Sequence, residues 1–281
     1  MSPLLTYPRL NMAHPLSQGL VLSVPFFERG GNIAQDTSPL QAFGVVSGTY
    51  DWTASFYGMV PKFNGTDTLV SFGSNPILAS PKLSVCILWK DNTITPLQFE
   101  GIAGKTNGST WSQGWGMYWE SAKRMTFFVE GYSTNFAYYD VTTTTIWHYY
   151  IGTWDGATVR IYQDGLPGTP DTYGGAITAT NPCELGRLGT NTYNSPGQCA
   201  DFKVYNRALL PQEAMSLSLD PWQMYYQRNL LAEMGYGTGT PAVTYPIPDI
   251  GVWSLERRIG VKGLDRRIAV NPGEDRRIRV K

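Results

Sequence analysis

Acidic side chains are the residues of this chain that could support hydrolysis, because a glycoside hydrolase needs two carboxyl groups about 5 to 9 Å apart. Such pairs usually come from acids spaced two apart along one strand, where the side chains share a face. The chain has no such run, since Glu100, Glu120, Glu130 and Glu184 stand singly in different segments. The spacing therefore predicts a protein that is not an enzyme, unless acids from separate strands converge in space.

Histidine and cysteine chemistry has as little support in the sequence. The two histidines are His14 and His148, and neither belongs to a His-x-x-x-His pair. No Cys-x-x-Cys pair occurs either, so the spacing does not predict a zinc site. His148 lies in an apolar run beside Trp147, and we expect it to be a packed strand residue.

Aromatic side chains offer a different kind of chemistry, because sugar rings stack their C–H groups on exposed aromatic faces. Aromatic residues cluster at 111–119 and again at 132–139. The alternation within 115–119 predicts core positions rather than a surface. Trp111, Tyr132 and Tyr193 lie in predicted loops and are the candidate ligand-binding residues. A neighbouring protein would be an equally good partner for a loop aromatic.

Two Asp-Gly pairs indicate the elements that would position these side chains. An apolar run over 147–154 ends at Asp155-Gly156, and an alternating run over 158–163 ends at Asp164-Gly165. Asp-Gly favours the positive φ of tight hairpin turns, so these runs predict consecutive antiparallel strands. Short runs between Gly, Asn, Ser and Thr clusters predict an all-β antiparallel sandwich. The predicted strands span 20–26, 43–47, 68–72, 83–89, 101–105, 115–120, 124–130, 137–141, 147–154, 158–163, 183–188 and 199–205.

One short helix is predicted after the last strand. Proline suits the first helical position and an acid suits the first turn, so the helix should run from Pro211 to about Leu217 with Glu213 near its start. Leu210 cannot act as a side-chain cap. Beyond the helix, we expect Trp222 to fold the chain back onto the domain.

Short motifs follow one another in a fixed order over residues 14–219. They are His14-Pro-Leu-Ser-Gln-Gly-Leu20, Asp36-Thr-Ser38, Phe63-Asn-Gly65, the strand ending at Trp89, Trp147–Gly156, Tyr162-Gln-Asp-Gly165, and Asp201-Phe-Lys-Val-Tyr-Asn-Arg-Ala-Leu209. This order resembles the laminin-G-like, concanavalin A-like jelly-roll family. The departures are Pro39, where the family loop usually has glycine, and Ala200, where an acid is frequent. The resemblance implies a jelly roll that binds sugars or proteins far more often than it catalyses.

Calcium binding is implied by the same resemblance. Many family members hold one Ca²⁺ at the rim of the sandwich through loop carboxylates and backbone carbonyls. Asp36 and Asp201 match the acidic positions, while Ala200 replaces one frequent acid. No cofactor is required by the sequence, and calcium is the candidate metal. The alternative is that both aspartates cap turns.

Composition limits the partners and the compartment. The formal net charge is zero and no apolar run approaches the ~20 residues that span a bilayer, so we expect neither nucleic-acid binding nor membrane insertion. Residues 1–8 lack the basic start and apolar core of a signal peptide. Cys86, Cys183 and Cys199 form no even disulfide framework; Cys183 and Cys199 would be two thiols or a bridge across a loop. These features predict assembly in a reducing cytoplasm.

The C-terminus carries three copies of the unit acid-Arg-Arg-Ile-x-Val. Isoleucine and valine two apart share one face of a strand, and strands of about six residues cannot bury that face alone. We therefore expect burial against copies of the same chain or another protein's sheet edge, the alternative being a disordered basic tail. The predicted assembly interface comprises Arg257, Ile259, Val261, Arg266, Ile268, Val270, Arg276, Ile278 and Val280.

These segments predict four regions along the chain. Residues 1–13 form an extended arm, 14–226 the sandwich, 227–248 a linker and 249–281 the tail. The tail is similar to those of phage structural proteins, and this resemblance implies a non-enzymatic virion protein that decorates the capsid or forms a head fibre. Its partners would be capsid or tail proteins, copies of itself, and host or environmental glycans. The alternatives are a tail-associated adhesin and a free carbohydrate-binding or glycoside hydrolase-like protein.

Overall fold

Two antiparallel sheets pack face to face in the computed structural model, which describes residues 8–108, 110–120, 123–189 and 194–225. Within these residues the back sheet has nine strands and the front sheet eight. The back sheet contains β1 (Leu20–Val24), β4 (Asp51–Ser55), β5 (Gly58–Asn64), β7 (Leu83–Asp91), β12 (His148–Trp154), β13 (Thr158–Gln163), β14 (Leu166–Pro167), β15 (Asp171–Thr172) and β17 (Pro196–Tyr205). The front sheet contains β2 (Ile33–Ala34), β3 (Gly44–Ser47), β6 (Leu69–Ser71), β8 (Glu100–Lys105), β9 (Trp115–Glu120), β10 (Arg124–Val129), β11 (Phe136–Asp140) and β16 (Glu184–Leu185).

The strand order joins distant parts of the chain. The back sheet runs β14-β13-β12-β7-β17-β5-β4, with β1 and β15 paired to β17 and β13. The front sheet runs β11-β10-β9-β8-β16-β6-β3-β2. Every strand pair of the two sheets is antiparallel, which confirms the predicted all-β sandwich.

Alternation along the strands creates the core between the sheets. On β10, Met125, Phe127 and Val129 point inward and are fully buried. Trp115, Met117 and Trp119 of β9 are fully buried as well, as the alternation predicts. Packing between two such faces removes a large apolar area from water and supplies most of the stability of the sandwich.

The two Asp-Gly turns form as expected. The Asp155 carboxylate accepts hydrogen bonds from the backbone N–H groups of Ala157 (2.9 Å) and Thr158 (2.8 Å). At the second turn, Asp164 and Gly165 both have positive φ, 51° and 81°, which is the conformation that Asp-Gly favours in a two-residue hairpin. These turns fix the register of β12, β13 and β14.

The predicted strands lie within a few residues of the observed ones, except in five places. The hairpin of β4 and β5 was not predicted, because β4 has no buried residue and little apolar alternation, and Pro61 lies within β5. The short strands β2, β14 and β15 were not predicted either. The predicted strand over 183–188 contracts to β16. The helix α1 spans Pro211–Leu219, and the Glu213 carboxylate accepts the Leu210 N–H (2.8 Å) in place of a side-chain cap.

The outer face of the back sheet carries a second buried cluster. Tyr149, Ile151 and Tyr162 lie there, fully covered. The covering elements are a 3₁₀ turn at Pro15–Ser17, the helix α1 and residues 222–225. Trp222 packs against this cluster, as the sequence predicts.

The N- and C-terminal ends of the described chain lie side by side at this cover. Leu10 forms an antiparallel bridge with Tyr225, and the Asn11 N–H donates to the Met224 carbonyl (2.8 Å). The Tyr225 hydroxyl hydrogen-bonds Ser23 Oγ (2.8 Å) and Thr37 Oγ1 (2.7 Å). The described residues all belong to one compact unit, Met1–Arg228. The linker and tail predictions concern residues outside the described ranges.

Candidate functional site

Two of the three predicted ligand-binding residues meet on the outer face of the front sheet. The ring centroids of Trp111 and Tyr132 are 5.5 Å apart in an edge-to-face arrangement, and the Tyr132 N–H donates to the Trp111 carbonyl (3.3 Å). The Tyr118 hydroxyl donates to the Tyr132 carbonyl (3.2 Å). Tyr193 lies outside the described residues. The two loops therefore converge on one place, although about twenty residues of sequence separate their aromatic rings.

The predicted exposure of Trp111 is wrong. Only 2% of this residue is exposed, because its loop folds onto the front sheet and its ring packs against Tyr118, Phe128 and Leu188. A sugar ring needs an open aromatic face, which Trp111 does not present. Tyr132 is half-buried at the edge of the same cluster.

Leu188 fills the centre of the front sheet's outer face. Gly101, Gly104 and Gly116 leave the floor of the sheet bare there, and a Cβ on Gly104 would stand 2.1 Å from Leu188 Cδ2. The leucine can pack this closely because the three glycines have no side chains. Leu188 thus closes the middle of this face.

Aromatic and charged side chains remain accessible toward the β11 edge of this face. Three rows cross β9, β10 and β11 in register: Gly116–Phe128–Phe136, Tyr118–Thr126–Tyr138 and Glu120–Arg124–Asp140. The accessible members, together with the loop residue Tyr132, form what we call the front strip. The front strip comprises Glu120, Arg124, Tyr132, Phe136, Tyr138 and Asp140, all at least partly exposed.

Arg124 organises the charged end of the front strip. Its guanidinium carbon lies 3.9 Å from the ring centroid of Tyr138, a cation–π distance. Its Nε atom donates to Asp140 Oδ1 (2.9 Å), and Nη1 lies 3.4 Å from Glu120 Oε2. The hydrogen bond to Asp140 raises the pKa of Arg124 above its ordinary value. Two carboxylates and one aromatic ring thus hold the guanidinium in place.

Acids from separate strands do converge, but between the sheets. Asp91 ends β7, is fully buried and accepts hydrogen bonds from Thr93 Oγ1 (2.7 Å) and Trp119 Nε1 (2.8 Å). Glu100 begins β8 and is 7% exposed. Burial, and then the charge of Asp91, raise the pKa of Glu100 to about 7. Both acids lie beside Trp119 between the sheets rather than on an outer face.

The other isolated acids have partners of their own. Glu120 lies beside Arg124 in the front strip. The Glu130 carboxylate accepts the Gly114 N–H (2.7 Å), and Glu184 pairs with Arg187 at 2.8 Å. Each of these contacts stabilises a local connection, and Glu120 shares Arg124 with Asp140 at the exposed end of the front strip.

Asp36 caps a turn. Its carboxylate accepts the N–H groups of Ser23 (2.9 Å), Ser38 (2.8 Å) and Ala42 (2.7 Å), together with the Ser38 hydroxyl (2.9 Å). The residue is only 4% exposed. Four donors leave its oxygens little capacity for a cation.

Asp201 occupies a strand rather than a rim loop. It is fully buried on β17, forms an ion pair with Lys203 and accepts the Tyr149 hydroxyl (2.9 Å). Burial raises the pKa of Asp201, and the charge of Lys203 opposes that effect. Among the described residues, no group of three His, Cys, Asp or Glu side chains could hold a metal ion. Asp36 and Asp201 therefore do not fit the implied calcium site.

His148 and the three cysteines are buried. His148 Nδ1 lies 2.6 Å from Asp164 Oδ2, and Nε2 lies 2.7 Å from the Thr143 carbonyl, as expected of a packed strand residue. Cys86, Cys183 and Cys199 are buried free thiols, and burial raises the pKa of each. In the described part of the chain, no helix is long and apolar enough to cross a membrane.

The family model for the concanavalin A-like lectin/glucanases superfamily, Laminin_G_3, matches residues 64–215. The chain belongs to this superfamily. The matched segment includes most strands of both sheets and all of the front strip. It also contains the hairpin of β12 and β13 and the β17 motif that suggested the resemblance. No curated protein sequence matches the chain significantly.

Solved structures of other proteins have a similar fold. Domain 4 of AbnA, an extracellular GH43 arabinanase from Geobacillus stearothermophilus in complex with arabinotriose, is 16% identical with a TM-score of 0.54, over 71% of this chain and 98% of that one. The binding domain of Paraclostridial Mosquitocidal Protein 1 is 13% identical with a TM-score of 0.57, over 74% and 53%. The botulinum neurotoxin DC binding domain in complex with SialylT is 14% identical with a TM-score of 0.56, over 73% and 52%. The chain spans about half the length of the two toxin domains, and these identities show the fold alone.

Sequence reasoning missed most of the front strip. Phe136 and Tyr138 were seen as part of an aromatic cluster, but the loop residues were preferred as ligand candidates. The signal that could have identified them is the alternation Phe136, Tyr138, Asp140 on a strand after a glycine-containing turn. Such a strand lies near a sheet edge, where outward aromatic rings keep part of their surface.

Proposed function

We propose that the sandwich is a non-enzymatic carbohydrate-binding domain whose ligand lies on the front strip. The observation that carries this proposal is the pair Phe136 and Tyr138, which are partly exposed neighbours with ring centroids 6.4 Å apart. Apolar rings bind the C–H face of a sugar, and nearby polar groups fix the orientation of its hydroxyls. Glu120 and Asp140 supply such acceptors at the end of the strip.

Two features support binding without hydrolysis. Leu188 fills the glycine-lined centre of the front sheet's outer face. Asp91 and Glu100 are buried between the sheets, and the accessible Glu120 and Asp140 are both engaged by Arg124. A hydrolase needs two carboxyl groups that can act at the scissile bond, so these observations favour binding.

A glycan array with the full chain tests the proposal. The Phe136→Ala, Tyr138→Ala double variant should lose binding, because it removes both stacking surfaces. Its matched control is Phe56→Ala with Tyr57→Ala, a second exposed aromatic pair carried by the hairpin of β4 and β5. The control should bind like the wild type. Absence of any binding by the wild type, or loss in the control with retention in the front variant, overturns the proposal.

The same array tests the absence of catalysis. Every glycan that binds is incubated with the protein, and its products are separated by chromatography. We expect no cleavage. Turnover that disappears in Glu100→Gln would overturn the non-enzymatic assignment and favour the glycoside hydrolase-like alternative.

We propose further that the full chain is a virion structural protein of a tailed phage, attached through residues 249–281 as a capsid decoration or head fibre. The repeat supports this proposal, because Ile-x-Val units in strands of about six residues would need another protein to bury their apolar face. The tail residues lie outside the described part of the chain. Location in a virion assembled in the host cytoplasm follows from the same proposal.

Deletion of residues 249–281 tests the attachment. The truncated protein should stay folded and no longer join particles. Serine at Ile259, Ile268 and Ile278 should act like the deletion, since it removes the apolar face and keeps the charge. Serine at the intervening positions Gly260 and Ala269 is the control, because it also keeps the charge and would alter the opposite face of a strand. Normal occupancy of the truncated chain in particles would disprove attachment through the tail.

Cross-linking mass spectrometry of purified particles separates the remaining alternatives. Cross-links to the major capsid protein support decoration or a head fibre, whereas cross-links to tail proteins support an adhesin. Absence of the chain from purified particles supports a free carbohydrate-binding protein.

A further inference from the structure

Electrostatics at the front strip differ from those of a site that recruits an anion. The guanidinium in the front strip is that of Arg124. Its Nε atom contacts Asp140 at 2.9 Å, and its Nη1 atom contacts Glu120 at 3.4 Å. The carboxylates are still partly accessible, with 67% of the Asp140 side chain and 27% of the Glu120 side chain exposed. A ligand approaching this end therefore meets acceptors first.

A third carboxylate extends this field along the strip. Asp171 Oδ2 accepts the Phe136 N–H (3.1 Å), which places its charge beside the first aromatic ring. Lys123 is the neighbouring cation, but its Nζ atom lies 3.4 Å from the Thr142 carbonyl, a weak contact. Counting only residues that the structure describes, three carboxylates thus stand against two cations around the strip.

Tyr138 further restricts the guanidinium. The cation–π contact at 3.9 Å holds the plane of Arg124 against the ring while its nitrogens face Asp140 and Glu120. With Nε and Nη1 engaged, a ligand carboxylate would pair with the Nη2 donors of Arg124, and it would then lie beside Asp140 and Glu120, which already share that positive charge. The net gain from such a contact is small, because the partly exposed guanidinium attracts the ligand carboxylate while the two acids repel it.

We propose that the front strip selects neutral glycans and rejects the same glycans when they carry a carboxylate, such as sialic or uronic acids. This inference rests on the proposed carbohydrate binding at the strip. Neutral hydroxyl groups can donate to Asp140 and Glu120, and the sugar face can stack on Phe136 and Tyr138. A sugar carboxylate meets like charge instead, which weakens binding by roughly 3- to 10-fold at low salt.

Matched glycan pairs test the selectivity by isothermal titration calorimetry on the full chain. The pairs are N-acetyllactosamine with its sialylated form, and xylotetraose with its glucuronic acid-bearing form. In each pair that binds, the neutral member should bind about 3- to 10-fold tighter at 20 mM salt, and the difference should shrink at 500 mM. Equal or tighter binding of the acidic member at low salt overturns the inference. Failure of every oligosaccharide on the array is different, because it overturns the proposed function itself.

Removal of the two carboxylates provides the second arm. The Glu120→Gln, Asp140→Asn double variant leaves Arg124 stacked on Tyr138 but without ion pairs. The affinity for the acidic glycan should therefore rise several-fold relative to the affinity for the neutral glycan. Asp51→Asn is the control for charge, since it removes an exposed acid from β4 of the back sheet. An unchanged ratio in the double variant, or the same shift in the control, overturns the role of the Arg124 ion pairs.

Discussion

The two outer faces of the sandwich are built for different purposes. The back face is covered by a 3₁₀ turn, the helix α1 and residues 222–225, and its cluster of tyrosine and aliphatic side chains is almost completely buried. Among the described residues, the cover of the front face lies at its centre, where Trp111 and Leu188 close over the floor. Toward β11, aromatic and charged side chains remain partly exposed.

A pair of charges illustrates this difference. Asp201 and Lys203 form an ion pair on the back face with both side chains fully buried, whereas Arg124 and Asp140 pair on the front face with 34% and 67% of their side chains exposed. A buried pair must stay intact, since a lone buried charge is costly, whereas an exposed pair contributes little to stability and leaves its carboxylate oxygens partly open to solvent. Charge on the back face thus fixes structure, and charge on the front face is available to a ligand.

The largest expected effect comes from breaking the buried pair. Asp201→Ala leaves Lys203 and the Tyr149 hydroxyl without their acceptor, so the free energy of unfolding should fall by about 3 to 5 kcal/mol in urea denaturation. Asp201→Leu combined with Lys203→Met should recover most of that loss, because no charge is left buried. A loss below about 1 kcal/mol in Asp201→Ala would show that the pair is reached by water.

A smaller, pH-dependent effect on stability is expected from Glu100, which lies between the two sheets. The pKa of Glu100 is raised from 4.5 to about 7, so its carboxyl stays protonated in the folded protein while the unfolded chain ionises. The free energy of unfolding should therefore fall as pH rises from about 4.5 to 7, and the loss is complete above 7. The free energy of unfolding of Glu100→Gln should exceed that of the wild type by about 2 to 3 kcal/mol at pH 8, and the two should be equal at pH 4.

Glu213 gives the matched control of opposite sign. Burial raises its pKa, but the hydrogen bonds and charge of Arg207 outweigh burial and lower it overall. Its ion pair stabilises the folded protein above the ordinary pKa and is lost as pH falls. Glu213→Gln should consequently destabilise most near neutral pH. Urea denaturation across pH 4 to 8 checks both variants, and parallel profiles would contradict the assigned pKa directions.

The smallest effect on stability is expected at the front strip. Tyr138→Ala removes a partly exposed ring and one cation–π contact, so it should cost about 1 kcal/mol while abolishing most glycan binding. Tyr205→Ala on the fully buried side should cost about 3 to 5 kcal/mol. Thermal unfolding and titration with one array glycan compare the two variants. Similar stability losses would erase the distinction between the faces.

Sequence patterns predicted the fold well where they were strong. The runs at 147–154 and 158–163 and their Asp-Gly turns gave β12 and β13 to within one residue, because alternation and positive-φ turns are local signals. The hairpin of β4 and β5 was missed because its strands depend on pairing with β17 rather than on their own alternation. Local patterns cannot report that kind of tertiary support.

Sequence reasoning was weaker for the candidate site. Trp111 and Tyr132 do lie in loops, as predicted. A loop residue is buried, however, when it packs on the sheet beneath it, and Trp111 packs against Leu188 and Phe128. The partner of Arg124 could not be read from spacing either, since Asp140 lies opposite it only through the pairing of β10 with β11. A surface that spans several strands needs their register before its members can be named.

Hydrogen–deuterium exchange with and without the tightest neutral oligosaccharide on the array tests the division between the faces most directly. A ligand on the front strip should add protection from exchange in peptides that cover 115–140, and none in peptides that cover 200–225. Protection confined to 200–225, or to the exposed aromatic pair of the β4 and β5 hairpin, would contradict it and place the ligand on the back face.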